Sequence, residues 1–582
     1  MQTAEVILSL LGQKAKNDEN FVFQRLYRHL FNPDMYLSAY AKIYSKEGNM
    51  TAGVDGKTID GFNVEIVNRI IEKMKKETYY PNPVLRKHIP KKSGGQRPLG
   101  IPSFEDKLVQ EVLRLILEAI YEPKFLDTSH GFRPKRSCHT ALHTIKSTCK
   151  GSNWVIEGDI KSFFDNIDHE VLLCLLSKKI DDGRMIELIR RFLRAGYLEF
   201  KQKHPTFSGT PQGGIISPIL SNVYLHELDQ FMKEICEKYS TDTVRKRNKE
   251  YMSWNSKRHQ AQKKGDVEIA KIALEHMRKL PAQDPLDQDY IKVKYVRYAD
   301  DFLVLIIGSK ALANEIRDQT RDFLAQQLKL ELNMDKTLIT NLSNDRVKFL
   351  GYEIAKTKED TKLTENTLGV KKRAANETIQ LLVPSEVIRE KLKPFVQNGK
   401  SVHHNARINL PILDMIAQYN AEIKGLYNYY CLATDVSTKI GKLKYYHYYS
   451  LVKTIARKEK CSVKKVIDKY GIDVKLKNGT GTRKLVGMKY MTKTEGEKVI
   501  TYFNQSIKKV NSPKAEDVDT QKFNILGRSQ IFDRLNAKEC ELCGLKSEER
   551  EFGDPSHSKA ERYKKEVHQA RETDSSMGAI YE

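Results

Sequence analysis

Asp300 and Asp301 stand side by side in KYVRYADDFLVLIIGSK (294–310), a run that is otherwise strongly apolar. Adjacent carboxylates repel each other and are costly to remove from water, so such a pair usually sits in a solvated turn. Here Tyr295 and Val296 before the pair, and Phe302 to Ile307 after it, place the turn at the edge of a buried sheet. A hard divalent cation resolves that conflict. Mg²⁺ takes oxygen ligands, keeps several waters, and is held by one or two carboxylates together with substrate phosphates. The chemistry implied is an in-line phosphoryl transfer, in which two metal ions clamp the attacking and leaving oxygens. Such a site needs another carboxylate from a different strand. Asp159, at the end of WVIEGD and 141 residues before Asp300, is the natural candidate. Asp165 and Asp168 follow that strand and suit helix entry better.

The elements that must position these groups can be read from periodicity and turn chemistry. Residues 294–307 read as a hairpin, two β-rich runs with Ala-Asp-Asp at the turn. WVIEGDIKSFF (154–164) reads as a strand that leaves a carboxylate at its end, with Asp168 capping the helix beyond. GTPQGGIISPILSNVYLHELD (209–229) begins as a Gly/Pro loop and becomes a helix. KKSGGQRPLGIPS (91–103) favours a hairpin-like loop. Ser103-x-x-Asp106 then resembles a capping box, opening a helix whose apolar face is Leu108, Val109, Val112, Leu113, Ile116 and Ile120. A helical N-terminal segment is expected to about residue 45, with Phe23, Leu26, Tyr27 and Leu30 packed inward. Residues 245–264 carry eight Lys or Arg and one Glu, which reads equally as a solvated helical insertion or a phosphate-contacting arm. From about 366 the pattern turns helical and basic, rich in Tyr and Lys.

At 582 residues the chain exceeds the roughly 250–300 at which one hydrophobic core stops growing, so several domains are expected. Lys and Arg number 99 against 75 Asp and Glu, a formal charge of +24 that points to a polyanionic partner, most often nucleic acid. No apolar run approaches the ~18 residues of a membrane span, so no membrane partner is expected. The first twenty residues do not read as a secretory signal, and their acids argue against a transit peptide. Eight cysteines in so long a chain, six of them scattered and only Cys540 and Cys543 close, do not form a disulfide framework, which suits a reducing compartment. The expected location is cytoplasmic, in a bacterium, with an organellar origin left open.

RYADDF resembles the Tyr-x-Asp-Asp signature of reverse transcriptases, and other blocks follow in that family's order. These are KKSGGQRPLGIPS, HGFRPKRSCHTAL (130–142), IEGDIKSFFDNIDH, GTPQGGIISPILSNVYLHELD, LKLELNMDKTLI (328–339) and VKFLGYEI (347–354). More closely, the chain is similar to the group II intron-encoded reverse transcriptases and maturases. The cues are AGVDGKTIDGF (52–62), the insertion before RYADD and a helical segment after the palm. That resemblance implies an α+β right-hand polymerase, with fingers and an antiparallel palm sheet carrying YADD, followed by a helical thumb/maturase domain. The boundaries expected are 1–365 for fingers and palm, including a basic insertion near 236–290, then 366–490 for the thumb/maturase domain. A DNA-binding region would occupy 491–535 and a truncated HNH-like remnant 536–582.

By the same resemblance Asp159, Asp300 and Asp301 are a catalytic triad that binds two Mg²⁺ ions. Lys91, Arg97, Phe164, Gln212 and Lys336 would contact the dNTP. Arg97 suits a bidentate phosphate contact, and Lys92 is an equal alternative to Lys91. Phe164 matches a bulky gate against a ribose 2′-hydroxyl; core packing beside Phe163 is the bland reading. Lys336 would approach the phosphates, an ordinary surface lysine being the alternative. In the thumb, Lys424, Lys442, Lys444, Lys453 and Arg457 are expected to face RNA, with about half the neighbouring tyrosines serving as core. The partners implied are group II intron RNA, an RNA template with a DNA primer, target DNA and dNTPs, with the chain acting in splicing and retrohoming. Alternatives are a splicing cofactor with a dispensable polymerase, or a related reverse transcriptase recruited to host defence. Relatives that end in an HNH nuclease carry two Cys-x-x-Cys pairs. Here only Cys540 and Cys543 are present, so zinc is not the expectation.

Overall fold

The apolar run after Asp301 forms the strand Asp301–Ile307, and Phe302 to Ile306 are all buried. Five consecutive buried residues require cover on both faces of the sheet. The computed structural model describes residues 2–44, 48, 50–90, 94–199, 202–204, 209, 213–284, 287–357, 363–365, 371–373, 377–475, 481–492 and 496–512. Within it, Asp301–Ile307 lies between Trp154–Asp159 and Lys292–Tyr298, with Leu338–Asn341 at the outer edge of Trp154–Asp159. All three pairings of this palm sheet are antiparallel. Helices Cys138–Thr148, Ser217–Tyr239 and Lys310–Leu328 pack against it.

Gly158 explains how the centre of the sheet closes. It sits opposite Phe302, and a methyl group on its Cα would run into the Phe302 ring. The missing side chain gives the ring its place, next to the residue that must present a carboxylate.

The fingers carry a second sheet, in which Gln96–Ile101 pairs antiparallel with Val84–Pro90, and Val84–Pro90 runs parallel to Tyr197–Glu199. Gly94 and Gly95, with φ of 86° and 81°, turn the expected hairpin. Ser103 caps the helix Phe104–Tyr121 by accepting from the Asp106 amide. The Asp106 carboxylate does not close the expected box. It accepts instead from Ser103 Oγ, Tyr79 Oη and the Asn82 amide, tying the helix start to the segment before the hairpin.

The N-terminal expectation is corrected in part. Phe23, Leu26, Tyr27 and Leu30 are buried, but they lie in the short strand Phe23–Gln24 and the 3-10 helix Leu26–Phe31. Arg25, at φ 54°, breaks the chain between them, so the α-helices are Ala4–Asn17 and Pro33–Tyr44. The basic insertion forms the helices Lys249–Lys264 and Val267–Lys279, which pack on each other.

The thumb grows out of the palm without a break in packing. Val347–Phe349, Tyr352–Lys356 and Ile379–Leu382 form one antiparallel sheet, which bridges the boundary expected at 365. Beyond it lie the helices Ser385–Leu392, Ile412–Tyr430, Val436–Lys458 and Val463–Tyr470. One apolar core runs from Val155, Val296 and Leu305 in the palm through Tyr352 and Leu381 to Met415 and Leu451. The segment is not helical to its end: Gly471–Lys475, Thr482–Thr492 and Gly496–Thr501 make a three-stranded sheet. The boundary expected at 490 falls inside one of these strands, and Tyr502 and Phe503 are buried beyond it. Cys540, Cys543 and most of the expected DNA-binding region lie outside the described residues. None of the six cysteines among the described residues forms a disulfide. No helix among the described residues is long and apolar enough to cross a membrane.

Replacing Gly158 by alanine is expected to lower the melting temperature clearly, by an overpacking cost of about 1–3 kcal/mol. Thermal unfolding followed by circular dichroism measures it, and a melting temperature equal to that of the wild type would remove the close-approach argument.

Candidate active site

The register of the palm sheet sets Asp159, the last residue of its strand, directly opposite Asp301, the first of its own. Directly paired residues place their Cβ atoms about 4.5–5.5 Å apart. Asp300 precedes in the turn, after Ala299 in a left-handed conformation at φ 57°. Three carboxylates separated by 141 residues of chain thus share one end of one sheet.

Their electrostatics match that crowding. Burial, reinforced by the charge of Asp159, lifts the Asp300 carboxyl above its ordinary range, while Arg97 and Arg297 pull it back. Asp301 keeps access to solvent, yet surrounding protein displaces water from its flanks. It is raised to about 6 by burial first and then by the charges of Asp300 and Asp159, against the opposing pull of Lys336. Asp159 accepts hydrogen bonds from Asn333 Nδ2 at 2.9 Å and pairs with Lys336 Nζ at 3.2 Å. Among the described residues no three ligating side chains are already drawn into a cage. The donor set nonetheless fits a hard cation: the site offers oxygen ligands whose mutual repulsion and poor hydration a divalent charge would relieve.

The surrounding residues expected to contact a nucleotide fall into three groups. Arg97 is exposed at the start of the Gln96–Ile101 strand, near enough for its charge to act on Asp300. Phe164 follows the left-handed Ser162 in the one-turn helix Phe163–Asn166; Phe163 is buried, while Phe164 is only half-buried. The two rings pack edge-on against each other, 5.2 Å between centroids. Lys336 is engaged with Asp159. Lys91 and Gln212 lie outside the described residues. The loop that carries Gln212 is anchored at its near end, where Gly209 donates to the Ile167 carbonyl at 2.8 Å and its own carbonyl accepts from His169 Nε2 at 2.7 Å.

Two residues at this site were not singled out from the sequence. Asn333 lies three positions before Lys336 in the same block, and only the fold shows that both converge on Asp159. Phe132 is half-exposed, holds φ at 57° and packs edge-on against Phe164 at 6.4 Å between centroids. A bulky residue in left-handed backbone is an outlier, so this ring is held there by its surroundings.

The thumb cations separate into two sets. Lys424, Lys442 and Arg457 are exposed. Lys453 donates to the Ser401 carbonyl at 2.6 Å, and Lys444 lies over the Phe503 ring, its amine lowered to about 8 by burial. These two are half-buried and make contacts within the fold. Several tyrosines are structural as well: Tyr427, Tyr429 and Tyr430 donate to the carbonyls of Lys508, Leu350 and Gly351.

The family description "Reverse transcriptase (RNA-dependent DNA polymerase)" matches residues 89–256 and 268–354, and "Type II intron maturase" matches 376–534. The chain is 40% identical over 573 residues to the group II intron-encoded protein LtrA of Lactococcus lactis subsp. cremoris, covering 94% of this chain and 92% of that one. It is 40% identical over 485 residues to an uncharacterized 91 kDa protein in the cob intron of Schizosaccharomyces pombe, covering 80% and 58% of the two chains. It is also 35% identical over 352 residues to protein YkfC of Escherichia coli, covering 59% and 86%. The palm sheet with its paired aspartates and these matches define a reverse transcriptase of right-hand, α+β architecture, an RNA-directed DNA polymerase. Within that class, the chain belongs to the group II intron-encoded reverse transcriptase/maturase family.

Because the folded-state pKa of Asp301 lies above its unfolded value, its ionisation destabilises the metal-free protein, and the penalty is relieved as pH falls through about 6. Asp301→Asn is therefore expected to raise the melting temperature in EDTA at pH 8, with the gain shrinking toward pH 5. Adding Mg²⁺ should stabilise the wild type more than the variant. Equal gains at both pH values would contradict the electrostatic account.

Proposed function

We propose that Asp159, Asp300 and Asp301 hold the Mg²⁺ ions of template-directed DNA synthesis on an RNA template. The single observation that carries this is the direct pairing of Asp159 with Asp301, with Asp300 in the adjoining turn. When bound, two such ions would lower the pKa of the primer 3′-hydroxyl and neutralise the departing pyrophosphate. The chain's own residues supply the rest. Arg97, together with Lys91, grips the triphosphate from the fingers hairpin, and Gln212 lines the nucleotide pocket. Phe164, backed by Phe132, stands where a ribose 2′-hydroxyl would be excluded. Lys336 keeps Asp159 neutralised in the metal-free protein and lies beside the carboxylates, a position from which it can contact a triphosphate.

Around this polymerase, Lys424, Lys442 and Arg457 are the cations best placed to meet group II intron RNA, since they are exposed and sit on the thumb/maturase helices. With a net charge of +24, the chain suits an extended polyanionic partner. The reading extends to splicing of the intron and to its retrohoming by target-primed reverse transcription into DNA.

Primer extension on an RNA template with Mg²⁺ tests the carboxylates: Asp300→Asn should lose at least about 10²–10³-fold in kcat, and an unimpaired variant would overturn the assignment. The gate is tested independently by Phe164→Val, which should admit ribonucleotides at a rate the wild type does not; unchanged sugar discrimination would return Phe164 to a packing role.

A further inference from the structure

Arg297, two residues before the turn that carries Asp300, is fully buried, and so is its partner Asp229. Arginine and aspartate are seldom hidden completely, and a buried ion pair is often no more stabilising than apolar residues of the same volume. Stability alone is thus a weak reason for this pair.

The geometry supplies a stronger one. A guanidinium has five N–H donors in a fixed fork, and all five are used here. Nε and Nη2 donate to the two Asp229 oxygens at 2.7 and 2.6 Å. Nη2 also reaches Ser129 Oγ at 2.8 Å, and Nη1 reaches Asn222 Oδ1 at 3.3 Å. The remaining donor goes to the carbonyl of Ala299 at 2.9 Å, the residue whose left-handed backbone makes the turn. Tyr295 Oη completes the Asp229 carboxylate at 3.0 Å.

The backbone repeats the clasp. The Arg297 amide donates to the Thr128 carbonyl at 2.8 Å, and its carbonyl accepts from the His130 amide at 2.9 Å. Asn222 Nδ2 donates to the Gly131 carbonyl at 2.9 Å, and any side chain on Gly131 would strike the Ala299 amide. Three separate parts of the chain therefore meet at one guanidinium. They are the segment 128–131, the helix Ser217–Tyr239 that follows the nucleotide-pocket loop, and the turn bearing the carboxylates.

We propose that Arg297, locked by Asp229, is a positioning residue that fixes the Ala299–Asp300 turn, and with it the placement of Asp300 and Asp301 for metal binding. The inference rests on the reading of those two aspartates as ligands. Arg297 touches neither substrate nor metal. It acts through the turn, as an outer-shell group orients a ligand.

Arg297→Lys retains the charge and loses the fork, so it separates positioning from charge. In the full-length variant, with a template–primer ending in a dideoxynucleotide, Mn²⁺ affinity read by electron paramagnetic resonance is expected to fall about 10–100-fold. Amide hydrogen exchange across 296–303 should quicken. kcat should fall in step with the metal affinity, while the KM for template–primer stays unchanged. A folded Arg297→Lys protein with wild-type Mn²⁺ affinity and wild-type exchange at the turn overturns the proposal. Should that variant fail to fold, Asn222→Ala carries the test, since it removes one acceptor and the Gly131 bond and leaves both charges paired. It should weaken Mn²⁺ binding about threefold, and unchanged binding overturns the proposal equally. If Asp300→Asn leaves DNA synthesis intact, the ligand reading itself fails, an outcome distinct from either result at Arg297 or Asn222.

Discussion

Like-charge repulsion at one end of the palm sheet governs much of what surrounds it. Asp159 and Asp301 are paired across adjacent strands, and Asp300 is covalently next to Asp301. Two unit charges about 5 Å apart at an effective dielectric of about 20 repel by about 3 kcal/mol. That is a large share of the roughly 5–15 kcal/mol by which a domain is stable. The protein does not resolve this by hydration alone, because burial is the first cause of the raised carboxyls at both Asp300 and Asp301 even though Asp301 keeps access to solvent. It distributes cations around the cluster instead. Lys336 bonds Asp159, and the charges of Arg97 and Arg297 act on Asp300 from the fingers and from beneath the turn. A site so poised binds a divalent cation with a gain in stability, which is how a charge conflict becomes a binding function.

Close packing accounts for the small residues near the carboxylates. Gly158 leaves room for Phe302, so the strand can end on Asp159 while its neighbour stays closely packed. Gly209 sits at φ 86° against the backbone of Phe164 and Asp165, where a side chain has no space. Gly209 is thereby pressed against the segment carrying the expected sugar gate. The left-handed Ala299, Ser162 and Phe132 add three non-glycine residues in an uncommon conformation, next to Asp300, close after Asp159 and against Phe164 respectively. Such outliers persist only where the surroundings over-determine them, and they concentrate where geometry matters more than stability.

Much of this was legible in the sequence because the informative residues are local. YADD between two β-rich runs gives the hairpin, VIEGD gives the facing strand, and Asp168 caps the next helix through the Val171 amide as its type predicts. What was not legible depends on contacts distant in the chain. Lys444 and Lys453 have the composition of an RNA-facing stripe, and only the fold reveals their contacts with Phe503 and the Ser401 carbonyl. The thumb boundary drawn at 490 followed helical periodicity, which carries no information about a strand pairing of 482–492 with 496–501. Near the N-terminus, burial at Phe23, Leu26, Tyr27 and Leu30 was readable, whereas the break at Arg25 was not, since arginine carries no signal for left-handed backbone.

The thumb tyrosines show how a compositional reading can be right about residue type and incomplete about role. Tyr–Lys interleaving suggests bases stacked on rings, and Tyr445, 58% exposed, remains available for that. At the end of the Ile412–Tyr430 helix the hydroxyls do something else. Leu350 and Gly351, at φ 46° and 70°, form a tight turn between two palm strands, and Tyr429 and Tyr430 each donate to one of its carbonyls, at 2.9 and 3.0 Å. In return the Tyr429 carbonyl accepts from the Tyr352 hydroxyl and from His139 Nε2. Tyrosine suits this role at Tyr430, whose apolar ring packs in the shared core while its hydroxyl satisfies a turn carbonyl; the Tyr429 ring stays exposed. Three hydrogen bonds and a common core therefore fasten the thumb helix to the palm hairpin, and a fourth, from His139, ties it to the helix Cys138–Thr148. Movement of the thumb relative to that hairpin would have to break bonds on both sides of the junction. The Ile412–Tyr430 helix is in this way held in a fixed relation to the hairpin that leads out of the palm.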